Sequence, residues 1–265
     1  MNEKIVNQIK ALPPLPKSVL EVQRITNDPN SSIADLVKVI KNDPMLTANL
    51  LKVANSPLYG FTRQIKSVDQ AVSLFGMVPI KGFVISFAIR NSMKFDLSAY
   101  GIDENHFHMI STKRNALALN WYASKKDKLD IIATDSFLID LGAVIISLIL
   151  IGENKADEFK SRLTKENRYE LEKEFVGAIT PEITAEIFKH WHFGDELIIP
   201  IENIEVPEKA ENYQEEAAAL KVIKTIYDLL DKEFKDNFPK GIELAQKYNL
   251  DVDKLQKALE KLEGN

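Results

Sequence analysis

Asp43-Pro44-Met45-Leu46-Thr47-Ala48-Asn49-Leu50-Leu51-Lys52-Val53-Ala54-Asn55-Ser56-Pro57-Leu58-Tyr59-Gly60-Phe61 is a strongly specified local structure. Asp43 followed by Pro44 reads as a helix start. The carboxylate can accept from free backbone N–H groups, and proline at the first helical position gives up no bond it needed. Leu46, Leu50, Leu51 and Val53 then form an apolar stripe at helical spacing. Asn55-Ser56-Pro57 ends it, with Asn55 expected as a left-handed cap, and Tyr59-Gly60 turns the chain away. Asn55-Ser56-Pro57 with Tyr59 could form a polar ligand site. The same residues also satisfy the orphan groups that any helix end leaves, so the stretch reads as a structural keystone and, if it meets a partner, as a rigid surface.

On both sides of this stretch, nearly every segment reads as helix. Residues 4–12 and 18–26 form short amphipathic helices separated by Pro13-Pro14-Leu15-Pro16. Ser32 with Asp35 opens the next helix, and Ser67 with Gln70 is a capping box whose helix stops at Gly76. Residues 80–90 close a first group of helices, taken to run from Lys4 to Met93. Residues 104–124 form one long helix, 125–130 a charged connector, and 134–151 a central buried helix, apolar almost all round. Shorter helices follow near 156–163, 169–175, 180–191 and 195–202. Residues 203–212 read as a linker, before helices at 214–232, 239–248 and 252–262. The expected fold is all-α: a two-lobed helical bundle (lobes about 1–95 and 104–204) with a charged linker and C-terminal helices over 206–265.

Composition narrows function. The 265 residues contain no cysteine, which excludes disulfides, thiolate metal sites and a cysteine nucleophile. The net charge of −5, with bases scattered among acids, weighs against a nucleic-acid binder, which usually carries a basic face. Arg63, Lys66, Lys81, Arg90 and Lys94 would form an anion-binding face only if the short helices fold back on each other. No Ser-His-Asp order, phosphate loop or dinucleotide fingerprint is present. The start of the sequence lacks the continuous apolar core of a signal peptide, and the run Leu141–Ile151 is too short to span a bilayer, so a cytoplasmic location without membrane contact is expected. The pairs His106/His108 and His190/His192 invite a metal reading. Positions two apart on a helix point about 200° from one another, however, so neither pair grips one ion well. Glu215-Glu216 reads as a solvated face.

With these residues laid out, the chain resembles the HDOD family, the non-catalytic relatives of HD-domain metal-dependent phosphohydrolases. The resemblance lies in Leu12-Pro13-Pro14-Leu15-Pro16, Asp43-Pro44-Met45-Leu46-Thr47-Ala48, Asn55-Ser56-Pro57-Leu58-Tyr59-Gly60, Ile65 to Val72, and Leu74-Phe75-Gly76, in family order, and covers about residues 8–205. Phe137-Leu138-Ile139-Asp140-Leu141-Gly142-Ala143-Val144-Ile145 sits where HD hydrolases carry Leu-Leu-His-Asp-Ile-Gly. The His-Asp metal pair is read as replaced by Ala143-Val144, neither of which coordinates metal. The resemblance implies an HD-domain-like helical fold and a non-catalytic signalling adaptor in bacterial signal transduction, with no cofactor, no metal and no catalytic residue, and another signalling protein as partner. Asp43, Pro44, Asn55, Ser56, Pro57, Tyr59 and Gly60 are the candidate interaction residues. Two other classes stay open, a nucleotide or nucleic-acid binding module and a residual metal-dependent phosphohydrolase with unusual ligands, as does homo-oligomerisation.

Overall fold

Helix ends in this chain are set by side chains a few residues away. Ser32 and Asp35 form a complete capping box: the Asp35 amide donates to Ser32 Oγ at 3.2 Å, and the Ser32 amide to Asp35 Oδ2 at 2.9 Å. At Ser67 only half forms, because Gln70 Oε1 accepts from the Lys66 amide instead, at 2.8 Å. Asp43 accepts from the Met45 and Leu46 amides, each at 3.1 Å. The computed structural model describes residues 2–28, 30–92 and 94–264, without the side chains of Val78 and of residues 89–92. Among the described residues there is no strand.

The helices are α1 (Glu3–Lys10), α2 (Lys17–Asn27), α3 (Ile33–Lys41), α4 (Pro44–Ala54), α5 (Val68–Phe75), α6 (Met77–Ser92), α7 (Glu104–Trp121), α8 (Lys126–Leu138), α9 (Leu141–Gly152), α10 (Ala156–Leu163), α11 (Arg168–Val176), α12 (Thr180–His190), α13 (Asp195–Glu202), α14 (Gln214–Ile226), α15 (Phe238–Lys247) and α16 (Val252–Glu263). Helices α2 to α6 pack on one another, and α6 lies across α8. Helix α9 packs on α12, and α7 on α8. One apolar core runs from Ile5 to Leu262.

Five expectations change. The first helix packs on α9 and α12 rather than on α2–α6. Its place is fixed by Trp191, whose indole N–H donates to the Pro13 carbonyl at 3.0 Å. The expected connector 125–130 begins helix α8, and the expected single helix 134–151 is two helices bent at Asp140. The segment 126–152 is long and apolar enough to cross a membrane, yet 83% of its most apolar window is buried inside the protein. The helix expected over 214–232 ends at Ile226. Finally, Glu216 is buried and paired with Lys128 at 3.0 Å, not solvated. The last helices are thus built into the body: α14 packs on α8 and α13, and α16 on α7.

The bend before α9 leaves backbone groups without helical partners, and Thr184 on α12 serves them. Its hydroxyl accepts from the Gly142 amide at 2.8 Å and lies 3.1 Å from the Ile139 carbonyl, to which it can donate. This requires α9 and α12 to touch at Gly142, where an added Cβ would lie 2.3 Å from the Thr180 carbonyl oxygen and 2.9 Å from the Thr184 nitrogen. Gly142→Ala is therefore expected to lower stability by about 3 kcal/mol. Gly152→Ala, where a Cβ meets nothing within 4 Å, should change it little. Urea unfolding of both variants checks the contrast, and equal stabilities would refute the close crossing.

Candidate functional site

The stretch 43–61 folds as a sequence of polar ties. Asp43 caps α4 through one oxygen and accepts from Ser18 Oγ at 2.9 Å through the other, joining α4 to α2. Asn55 is not left-handed (φ −90°). Its amide group instead pairs with both backbone groups of Ile65: Oδ1 accepts from the Ile65 amide at 2.8 Å, and Nδ2 donates to the Ile65 carbonyl at 2.9 Å. It also donates to the Leu51 carbonyl at 2.7 Å. The left-handed residue is Gly60, at φ +67°. Pro57 opens a short 3-10 turn through Tyr59, and Ser56 precedes it. The Tyr59 ring meets Phe75 and Phe83 edge-on, and its hydroxyl lies 3.1 Å from Asn115 Oδ1 on α7. Burial pushes the Tyr59 phenol well above its usual range. Asp43, Pro44, Asn55, Ser56, Pro57, Tyr59 and Gly60 therefore lie together along one path, and their polar groups mostly face the protein itself.

The centre of charge lies elsewhere. Set letter for letter on Leu-Leu-His-Asp-Ile-Gly, the chain reads Phe137-Leu138-Ile139-Asp140-Leu141-Gly142, so Ile139 and Asp140 stand at the His-Asp pair. This corrects the assignment to Ala143 and Val144, which are fully buried residues of the first turn of α9. The aspartate is retained and the histidine is not.

Asp140 is shared by two guanidinium groups. Arg114 Nη1 donates to Oδ2 at 2.6 Å, and Arg168 Nη2 to Oδ1 at 2.8 Å. Arg114 also donates through Nε to the Tyr227 carbonyl at 2.8 Å, and Arg168 through Nε to Glu172 Oε1 at 2.7 Å. Glu172 in turn accepts from Tyr100 Oη, from Thr180 Oγ1 and from the Thr180 amide, at 2.9, 2.7 and 2.6 Å. Burial raises the Asp140 carboxyl, but the two arginines outweigh it and hold the group well below the usual carboxylate range. Burial likewise works against the charge of Arg168, and Asp140 with Glu172 more than reverses that. The residues do not fit a divalent cation. Both oxygens of Asp140 accept from guanidiniums, its neighbour Ile139 is apolar, and among the described residues no three His, Cys, Asp or Glu side chains gather as a ligand set.

The other candidates separate. His106 Nε2 lies 2.8 Å from the Leu229 carbonyl, and His108 is 3.9 Å from Glu104. His190 faces the Leu12 carbonyl at 3.4 Å, and His192 adopts φ +56° beyond the helix. Lys81 is buried and donates to Asn27 Oδ1 at 2.8 Å, so it does not join Arg63 and Lys66 on a surface. The side chain of Arg90 lies outside the described residues.

Sequence reasoning missed Arg114, Arg168 and Glu172, which lie far apart in the chain. It also missed Asp135, an acid inside the apolar face of α8. Asp135 is fully buried, and neither of its oxygens has a hydrogen-bond partner. Burial pushes its carboxyl well above the usual range; Lys81 opposes this, while Glu196 and Asp130 add to it.

Residues 12–207 match the family model of the HDOD domain. A solved structure from Shewanella amazonensis SB2B, provisionally described as a phosphohydrolase, superposes with a TM-score of 0.76 at 23% identity, covering 99% of this chain and 95% of that one. One from Marinobacter aquaeolei VT8, provisionally described as a signal transduction protein, gives 0.64 at 17% identity, over 98% of this chain and 65% of that one. These likenesses show the fold, an HD-domain-like helical bundle. An uncharacterised protein of Treponema pallidum (strain Nichols) is 30% identical over 82 residues, 31% of this chain but only 16% of that protein.

Two stability measurements follow from the buried charges. Asp140→Ala leaves both arginines without their shared carboxylate, and urea unfolding should show a loss of about 3–5 kcal/mol. Because the folded pKa of Asp140 is depressed, its contribution is complete above about pH 4 and is lost as pH falls through the folded value. Stability of the wild type should thus fall more steeply on acidification than that of Asp140→Asn. Asp135 has the opposite sign: with a raised folded pKa, its stabilisation is full below about pH 4 and is lost as pH rises towards the folded value. Asp135→Asn should be about 1 kcal/mol or more stabler than wild type at neutral pH, and no stabler below about pH 4. A neutral-pH stability equal to or below wild type would contradict this.

Proposed function

The chain belongs to the HDOD domain family, and we propose that it is a non-catalytic signalling adaptor that acts in the cytoplasm by presenting a rigid helical surface to another protein. One observation carries this reading: the position that in HD hydrolases holds the metal-binding His-Asp pair holds Ile139 and an Asp140 whose two oxygens bind Arg114 and Arg168. Two fixed positive charges occupy the carboxylate that a metal would need, and removing them from the buried site to admit a metal would break the Asp140 network. The carboxylate serves the fold, and the protein's work falls to its surface. The description of the Marinobacter protein fits a role of this kind.

The reading is tested in two ways. With p-nitrophenyl phosphate and bis(p-nitrophenyl) phosphate, in Mg²⁺, Mn²⁺ or Ni²⁺, the purified protein should give no turnover above the metal blank. Metal-dependent turnover lost in Asp140→Asn would show a working hydrolase centre and defeat the proposal. Repeated affinity capture from native lysate should return the same signalling protein each time; captures that return nothing specific would count against the adaptor.

A further inference from the structure

An open groove of about 620 Å³ runs between the first group of helices and α7, α8 and α16. Its apolar wall is built by Phe61, Leu74, Met77, Leu119 and Leu129. Leu74 does not belong to the face of α5 that packs inward, which is formed by Val68, Ala71 and Val72. It stands 54% exposed, and Phe61, at the end of the 43–61 stretch, is 39% exposed. Gly76 also lines the groove: at φ +85° it ends α5, and a Cβ there would meet nothing within 4 Å. Exposed apolar side chains gathered with charged residues at their rim mark interaction surfaces more often than they mark chance.

The charge at the rim says what kind of partner fits. The protein carries a net charge of −5, yet among the described residues the charged side chains lining this groove are Lys126 and Lys261. Lys126 is exposed and, among the described residues, in no ion pair. Lys261 donates to Asn120 Oδ1 at 2.8 Å and, among the described residues, forms no ion pair. The neighbouring Lys125 and Lys128, by contrast, pair with Glu215 and Glu216. We infer that this groove docks an amphipathic helix of a partner protein, with apolar anchors for Phe61, Leu74 and Met77 and acidic residues flanking them for Lys126 and Lys261. Apolar anchors spaced at three and four residues suit a groove of this shape. The flexible Met77 lets its wall adapt to the anchors. The inference rests on the adaptor reading and gives it a surface.

The test uses two labelled helical peptides of about three turns, with identical leucine anchors and either glutamate or lysine flanks. Fluorescence anisotropy at low salt should show the glutamate peptide binding the full chain, with the lysine peptide several-fold weaker and the gap closing at high salt. Leu74→Glu, on an exposed site, should weaken the glutamate peptide about tenfold. The double variant Lys126→Glu, Lys261→Glu should reverse the preference between the peptides. Binding of neither peptide, or equal binding of both, would overturn the inference. So would light scattering that shows wild-type dimers absent in Leu74→Glu, because the groove would then hold a second copy of this chain. If lysate capture returns the same partner on wild type and on Leu74→Glu alike, the groove is wrong and the adaptor stands. If wild type captures nothing specific and binds neither peptide, both fall.

Discussion

Asp140 is the point at which three separate parts of the chain are tied together. Arg114 reaches it from the middle of α7 and Arg168 from the start of α11, while Arg114 also holds the carbonyl of Tyr227 at the end of α14. The carboxylate sits at the bend that separates α8 from α9, where the chain cannot continue one straight helix. Burying three charges is costly in itself, and the arrangement persists because each guanidinium is also hydrogen-bonded elsewhere. Glu172, Thr180 and Tyr100 continue the network from Arg168 to α12 and to the turn before α7.

That network accounts for what was and was not legible in the sequence. The capped helix starts were, because a cap is a local matter: Asp43, Ser32 and Ser67 each act on amides two or three residues away. The family was legible for the same reason, since its motifs are those local turns. The bend at Asp140 was not, because hydropathy is blind to it. Residues on both sides are apolar, and the cause is Thr184 and two arginines contributed from far along the chain. The shift of the His-Asp position onto Ala143-Val144 had a different origin. A letter-by-letter reading of the motif places Asp140 there, and only the ion pairs make the retained aspartate's role plain.

The 43–61 stretch takes on a clearer meaning from its partners. Asp43 reaches α2, Asn55 closes the loop onto Ile65, and Tyr59 reaches α7 through Asn115, which itself donates to the Ala133 carbonyl on α8 at 2.8 Å. A stretch that looked self-sufficient as a capped helix is tied to α2, to the loop at Ile65 and to α7. Its last residue, Phe61, is exposed and lines the apolar groove.

The packing of α1 has a consequence for how the chain reaches this state. Helices α2 to α6 contact chiefly their near neighbours in sequence, so they can assemble while the rest is still being synthesised. Helix α1 cannot join them. Its seat is on α9 and α12, and its tether at Pro13 is the indole of Trp191, 178 positions further on. Until α12 has emerged the seat of Ile5 and Ile9 is incomplete, so α1 completes its docking after the helices that directly follow it. A chain arranged in this way is most vulnerable to association with its neighbours in the interval before α12 is complete.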